Sequence, residues 1–300
     1  MNLGVSFCGI DFKNPIFTAS GTFNSGREFE SVVDLNQIGG VIVKGVANKP
    51  WKGNPAPRIA ETYGGMLNSV GLQNPGVDVF IREDIPYLRQ FDTKIIVNLA
   101  GRTVAEYCEV VERLGDADVD MLELNISCPN VKEGGVAFGI DAKMAEYVTS
   151  EVKKVAKQPL IVKLSPNVTD ITEIALAVES GGADAISLIN TLIGMKIDIH
   201  KRCPVLSRKV GGFSGPAIKP VAVRMVYQVS KVTKLPIIGL GGIMTGEDAI
   251  EFMMAGATGI AVGTANLINP RATMDVLQGI KDYMNSYNVL DIREIVGIIE

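Results

Sequence analysis

Short apolar segments recur along the chain, and each ends in a small or polar residue before a stretch with helical periodicity. Most of these segments are apolar throughout, which is typical of parallel strands that are covered on both faces. They predict eight strands, at residues 15–19, 40–44, 94–99, 121–126, 160–164, 185–189, 236–240 and 259–263.

Between the strands, apolar positions repeat with the period of an α-helix at residues 103–114, 143–157, 171–180, 220–232 and 247–255. A chain of 300 residues fits two ordinary domains or one large barrel. The repeated strand–helix unit favours the barrel. We therefore expect an α/β fold, a (β/α)8 TIM barrel, with residues 1–300 as a single domain.

Two gaps between predicted strands, residues 45–93 and 190–235, are too long for simple crossovers. Long insertions in a barrel usually lie on its C-terminal, functional face. At the start of the chain, residues 3–5 and 10–12 predict a small hairpin that closes the bottom of the barrel.

The amino-acid composition argues against some classes of partner. The net charge of −4 argues against a nucleic-acid partner, which would favour a basic surface. The uncharged run 252–270 contains glycines, asparagines and a proline, so it predicts a buried strand with its loops rather than a membrane helix. No targeting segment is expected, and we predict a cytoplasmic location without membrane contact.

The cysteines and the histidine limit the chemistry further. The four cysteines, Cys8, Cys108, Cys128 and Cys203, form no C-x-x-C pair, which argues against a disulfide framework and a four-cysteine metal or iron–sulfur site. We expect reduced, buried thiols. One histidine, His200, excludes a two-histidine metal site and is expected in a loop. No metal site is predicted.

The C-terminal ends of barrel strands face the active site, and here they carry amides and lysines. No carboxylate pair stands among them, which argues against glycosidase chemistry. The residues at these ends are Ser20, Lys44, Asn98, Asn125, Lys163 and Asn190, followed by Gly241-Gly242 and Gly263-Thr264.

The glycine turns after the last two strands predict a phosphate site, because backbone N–H groups there can hold an anion of a substrate or of FMN. Lys163 is predicted to point inward, where a cation stabilises a reduced, anionic flavin. Lys44 supports the same argument, with a substrate carboxylate as a further partner. In the segment 124–130, LNISCPN, Cys128 is a candidate nucleophile or proton acceptor.

Taken together, these motifs resemble the class 1 dihydroorotate dehydrogenases, and most closely the catalytic subunit of class 1B. The resemblance covers essentially the whole chain. It is carried by residues 14–15, 19–23, 43–46, 68–76, 124–135, 163–167, 189–191, 212–216 and 239–243.

The resemblance implies oxidation of dihydroorotate to orotate, a step of pyrimidine biosynthesis, by FMN bound at the barrel mouth. Cys128 is implied as the base that removes the C5 proton, while the C6 hydride passes to flavin N5. The implied FMN contacts are Ser20, Lys44, Gly45, Asn98, Asn125, Lys163, Ile189, Gly215, Gly241, Gly242, Gly263 and Thr264. The implied substrate contacts are Lys44, Asn68, Ser69, Val70, Gly71, Leu72, Asn125, Asn190 and Thr191.

Class 1B implies electron transfer to NAD through a separate subunit that carries FAD and a [2Fe–2S] cluster, in a heterotetramer built on a homodimer. The alternative is the class 1A enzyme, a homodimer that reduces fumarate. An FMN-dependent tRNA dihydrouridine synthase is disfavoured by the acidic net charge. A phosphosugar isomerase barrel is disfavoured because the strand ends lack a carboxylate pair.

Overall fold

The computed structural model describes residues 1–127 and 138–300. Eight parallel strands close into a barrel in chain order, and the last pairs with the first, so all eight predicted strands are confirmed. The strands are β1 Ile16–Thr18, β2 Gly40–Ile42, β3 Lys94–Leu99, β4 Met121–Asn125, β5 Leu160–Lys163, β6 Ala185–Leu188, β7 Ile237–Gly239 and β8 Gly259–Val262.

Helices follow the strands and cover the barrel, which confirms the predicted (β/α)8 TIM barrel. Side chains at the N-caps explain where several helices begin: Thr103, Asp141, Asp170 and Thr245 each accept a hydrogen bond from a backbone N–H of the first turn. The long helices are Val104–Leu114, Ala142–Val155, Ile171–Ser180, Lys219–Ser230, Gly246–Met254 and Ala272–Ser286. Shorter helical segments are Ser20–Phe23, Arg27–Phe29, Leu35–Gln37, Val77–Val79, Phe80–Asp84, Ile85–Leu88, Phe138–Ile140, Pro216–Ile218, Ala265–Ile268 and Ile292–Ile295.

The two long insertions join in one antiparallel sheet of four strands, which the sequence pattern did not predict. Its strands lie in the order Leu192–Met195, Val210–Ser214, Gly65–Asn68 and Ile59–Thr62. A second, two-stranded pairing joins Ile197–Asp198 to Cys203–Pro204. Because one insertion follows β2 and the other follows β6, both leave the barrel from the C-terminal ends of its strands, as predicted.

The N-terminal hairpin is present, but its first strand is Val5–Phe7 rather than residues 3–5. Cys8 and Gly9 both have positive φ and form the turn, so the two strands must flank them directly. The second strand is Ile10–Phe12, as predicted. The Cys8 thiol donates to the carbonyl of Asp184, the residue just before β6, which places the hairpin at the bottom of the barrel.

The cysteines and the uncharged run 252–270 differ from the sequence-based expectations, whereas His200 agrees with them. Cys8 and Cys108 are partly buried, but Cys203 is exposed, because it lies in a short surface pairing rather than in the core. The run 252–270 contains β8 flanked by helical residues on both sides, not by loops alone. His200 lies in an exposed turn, as expected. Within residues 1–127 and 138–300, no helix is long and apolar enough to cross a membrane.

Candidate active site

Lys163, the last residue of β5, points across the mouth of the barrel, by which we mean the C-terminal ends of the eight strands. Its Nζ lies 3.5 Å from Oγ of Ser20, which follows β1. Strands β1 and β5 stand opposite each other in the closed barrel, so this contact spans the interior. Both residues are buried, at 5 % and 6 % exposure. The structure therefore places an ammonium group inside the mouth, as the sequence pattern predicted.

Beneath Lys163 lies a buried carboxylate that the sequence analysis missed. Glu123 of β4 is fully buried, and its Oε2 lies 3.9 Å from Nζ of Lys163. Asn98 and Ser187 donate hydrogen bonds to its two oxygens, the second at 2.7 Å. A charged residue within the strand sequence MLELN was the available signal, because a charge inside an apolar strand needs buried partners.

Lys44 follows β2 and has few partners. Among the described residues, its Nζ has one contact within hydrogen-bond range, the carbonyl of Gly21 at 3.5 Å. Burial, and to a smaller extent the nearby Arg58 guanidinium, holds the pKa of Lys44 below its usual value of 10.5. A desolvated ammonium beside a second cation is a favourable place for an anionic ligand. Gly45 follows and lies against Asn98, since a Cβ on Gly45 would stand 3.1 Å from Oδ1 of that amide.

Three amide and hydroxyl side chains meet at the ends of β4 and β6. The Asn190 amide donates to Oδ1 of Asn125 at 3.1 Å, and its own Oδ1 accepts from the backbone N–H of Thr191 at 2.8 Å. The hydroxyl of Tyr107 anchors the turn by donating to the Asn125 carbonyl at 2.7 Å. The set offers both donors and acceptors, which suits a planar heterocycle with ring N–H and C=O groups.

The glycine turn after β7 is held by close packing. Gly241 and Gly242 have φ of 126° and 87°, a region that favours glycine. A Cβ on Gly241 would stand 3.0 Å from Ile189, and one on Gly242 would stand 2.9 Å from the carbonyl oxygen of Gly215. The structure thus brings together four of the predicted cofactor residues.

The turn after β8 joins the same region. The Thr264 hydroxyl donates to Oγ of Ser214, the neighbour of Gly215, at 2.8 Å. A Cβ on Gly263 would stand 3.3 Å from the Cβ of Ala19, beside Ser20. The two glycine turns therefore lie next to each other and next to the end of β1, as a shared anion site requires.

The predicted substrate residues 68–72 belong to the insertion after β2. Asn68 pairs with Gly212 in the four-stranded sheet, and the Thr191 side chain packs against that same glycine. At the other end of the segment, Leu72 packs against Gly45. A Cβ added to Gly45 would stand 3.5 Å from Cδ2 of Leu72, which is van der Waals contact. The segment thus connects the ends of β2 and β6.

In residues 68–72, hydrogen bonds from neighbouring asparagines hold the backbone, whereas one buried hydroxyl has no hydrogen-bond partner among the described residues. Asn54 binds the carbonyls of Ser69 and Val70, and Asn74 binds that of Leu72. Gly71 and Leu72 both have positive φ, which is a strained conformation for leucine. Oγ of Ser69 is buried and has no hydrogen-bond partner among the described residues.

Cys128, the predicted base, lies outside the described residues, so its role stays a prediction. Its neighbour Ser127 is described: Oγ of Ser127 lies 3.5 Å from the carbonyl of Lys163, and its N–H donates to Oδ1 of Asn125. The chain therefore enters the cysteine segment directly beside the amides and the lysine of the mouth. Across residues 1–127 and 138–300, no cluster of His, Cys, Asp and Glu is arranged to hold a metal ion.

A closed parallel barrel with lysines, amides and glycine turns gathered at its mouth defines a (β/α)8-barrel enzyme. The family model for dihydroorotate dehydrogenase matches residues 2–284, so the chain belongs to that family. This confirms the resemblance stated from the motifs.

Curated relatives agree over the full length of the chain. The catalytic subunit of dihydroorotate dehydrogenase B (NAD(+)) from Alkaliphilus oremlandii is 72 % identical over 99 % of this chain and 98 % of that protein. The subunit of the same name from Lachnoclostridium phytofermentans is 62 % identical over 100 % of both chains. A solved dihydroorotate dehydrogenase of Eimeria tenella, in complex with ferulenol, shares the fold with a TM-score of 0.83 at 22 % identity, over 99 % of this chain and 88 % of that one.

Proposed function

We propose that this chain oxidises dihydroorotate to orotate with FMN bound at the barrel mouth, and that its electrons pass to NAD+ through a separate subunit. The observation that carries the proposal is that the buried Lys163 and the half-buried Lys44 lie around one mouth with the amides of Asn98, Asn125 and Asn190. Membership in the dihydroorotate dehydrogenase family supports the reaction.

The described residues fit a flavin mononucleotide. The adjoining turns at Gly241-Gly242 and Gly263-Thr264 suit its phosphate, because backbone N–H groups can approach an anion closely there. Oγ1 of Thr18, at the end of β1, is fully buried without a hydrogen-bond partner among the described residues, which is a polar atom left for a ligand to satisfy. When bound, the flavin supplies a hydride acceptor.

For the substrate, the chain supplies orientation and a base. Asn125 and Asn190 present amide groups to the ring of dihydroorotate, and Lys44 is placed for its carboxylate. Ser69 and Thr191 extend this set from the insertions. Cys128 takes the proton from C5 as the C6 hydride leaves, so that the two carbons lose one proton and one hydride and a C=C bond forms. Holding both carbons on one rigid face is the main contribution of the barrel.

The partner subunit is proposed to carry FAD and a [2Fe–2S] cluster, and the two subunits to form a heterotetramer around a homodimer of this chain. Residues 1–300 are proposed to act as one FMN-binding barrel domain in the cytoplasm, on a small molecule and not on nucleic acid or a membrane. The names of the relatives, each a catalytic subunit, support the existence of a partner.

The test is a visible spectrum of the purified chain, followed by anaerobic addition of dihydroorotate. We expect flavin absorbance that bleaches, and re-oxidation by NAD+ only when the partner subunit is present. Re-oxidation by fumarate without a partner would assign the chain to the class 1A type instead. Absence of flavin after reconstitution with FMN would overturn the proposal and favour a phosphosugar barrel.

A further inference from the structure

Glu123 is an unusual residue for its position. It is the one acidic residue in the eight barrel strands, all of which lie in the described part of the chain. It is 0 % exposed. A carboxylate in such a place is tolerated only when it is paired and hydrogen-bonded. The reaction proposed above gives it no role, because it does not reach the strand ends where substrate and cofactor are expected.

The contacts of Glu123 hold it on three sides. Asn98 of β3 and Ser187 of β6 donate hydrogen bonds to its two carboxylate oxygens, and Lys163 of β5 lies 3.9 Å away. A carboxylate can only accept hydrogen bonds, so the two neutral donors satisfy one oxygen each. Because Asn98 and Ser187 come from different strands, the carboxylate is fixed in place and cannot follow the lysine outward.

Lys163 depends on this carboxylate. Its side chain is 6 % exposed, and within residues 1–127 and 138–300 the other side chain near its ammonium group is Ser20, whose hydroxyl lies 3.5 Å from Nζ. A neutral hydroxyl at that distance does not balance a buried charge. Among the described residues, Glu123 is therefore the counter-ion of Lys163, and it sits on the barrel side of the ammonium group, opposite the mouth.

We infer that Glu123 is a positioning residue that, as the counter-ion of Lys163, holds the ammonium group aimed at the barrel mouth, and thereby sets the reduction potential of the bound flavin. The inference rests on the proposed function, in which the positive charge of Lys163 stabilises the reduced, anionic ring. Glu123 acts through Lys163 and does not touch substrate or cofactor.

The experiment measures the two-electron midpoint potential of the bound FMN by dye equilibration in the purified holoenzyme. Glu123→Gln keeps the size of the side chain and removes its charge. We expect its potential to fall, as that of Lys163→Gln falls, by at least about tenfold in the ratio of reduced to oxidised flavin, which is about 30 mV for a two-electron couple. Glu151→Gln, which removes a surface carboxylate paired with Lys154, is the matched control and should leave the potential unchanged.

A double-mutant cycle separates action through Lys163 from a direct effect of the charge. Lys163→Gln with Glu123→Gln should match Lys163→Gln alone within about twofold. This comparison also carries the test if Glu123→Gln by itself does not fold, since the double variant leaves no unpaired buried charge. A potential that rises or stays constant in Glu123→Gln overturns the inference, and so does a double variant that differs tenfold from Lys163→Gln. Wild-type protein without FMN would instead overturn the proposed function.

Discussion

Ser20 and Lys163 come from opposite sides of the barrel, yet Oγ and Nζ lie 3.5 Å apart across its mouth. This contact defines how narrow the interior is at the level of the strand ends. It also shows that Lys163 turns inward rather than toward solvent. The barrel below this level is closed by side chains, so ligands must bind above it, among the loops.

Lys163→Met is expected to destabilise the protein, because it leaves the buried Glu123 carboxylate without its cation. Breaking one side of a buried pair typically costs about 3 kcal/mol in the free energy of unfolding. Urea denaturation of the FMN-free chain measures the change. Lys157→Met, which removes an exposed lysine paired with Asp116, should change stability by less than about 0.5 kcal/mol.

The double variant Lys163→Met with Glu123→Gln should recover part of that loss, because no unpaired charge remains in the core. The single variant Glu123→Gln completes the cycle. If the losses of unfolding free energy in the two single variants simply add in the double variant, the two side chains do not interact and the ion pair between Lys163 and Glu123 is wrong.

Gly242→Ala is expected to weaken both folding and FMN retention. The residue has φ of 87°, and an added Cβ would stand 2.8 Å from the backbone nitrogen of Lys219 and 2.9 Å from the carbonyl oxygen of Gly215. Because both neighbours are backbone atoms, the turn must shift, at a cost of about 2 kcal/mol or more. Thermal unfolding and the flavin-to-protein absorbance ratio report the two effects.

Gly21→Ala is the control for that prediction, since a Cβ there meets nothing within 4 Å and its φ is not positive. It should leave the melting temperature within a few degrees of wild type. Equal losses in Gly21→Ala and Gly242→Ala would show that the constraint at Gly242 is not steric.

Lys44→Met is expected to stabilise the ligand-free protein while weakening ligand binding. The pKa of Lys44 is lowered in the folded state, so the charged lysine opposes folding at every pH below that lowered pKa. This opposition disappears as the pH rises from the lowered pKa toward 10.5. At pH 7 the methionine variant should therefore have a higher free energy of unfolding than wild type.

An anionic ligand needs the protonated lysine, so orotate affinity in wild type should fall as the pH rises through the lowered pKa, and Lys44→Met should lose that dependence. Urea unfolding and orotate titration followed by flavin absorbance measure the two effects. Lys49→Met, at an exposed position nearby, is the control. A Lys44→Met variant that is less stable than wild type would show that burial of the Lys44 charge does not oppose folding.

The barrel strands could be predicted because each is a continuous apolar run with a polar residue at its end, and all eight appear within two residues of the expected bounds. The four-stranded sheet of the insertions could not. Its strand Val210–Ser214 has the sequence VGGFS, without alternation, and it pairs with residues about 145 positions away, as with Asn68 and Gly212. Such a register depends on tertiary contacts that periodicity does not report.

In the candidate site, too, some residues could be predicted from the sequence and others could not. Strand-end residues such as Lys163 and Asn125 could be predicted from their positions, since the fold sends them to one mouth. Glu123 lies two residues before the end of its strand and so escaped a search of strand ends. Its partners come from β3, β5 and β6, and only the closed barrel brings these strands around one carboxylate.

Cys128→Ala is expected to lose most turnover while retaining FMN, because a methyl group cannot take the C5 proton and the flavin contacts come from other residues. Cys128→Ser should retain some activity, since a hydroxyl can still transfer a proton, though less readily at neutral pH. An unperturbed thiol has a pKa of about 8.5, so wild-type turnover should rise with pH as the thiolate forms, and the alanine variant should lack this rise. Steady-state rates across pH, with flavin content from absorbance, measure the effect.

Cys203→Ala, at an exposed cysteine, is the matched control for Cys128→Ala and should behave as wild type. Near-normal turnover in Cys128→Ala would show that another group is the base.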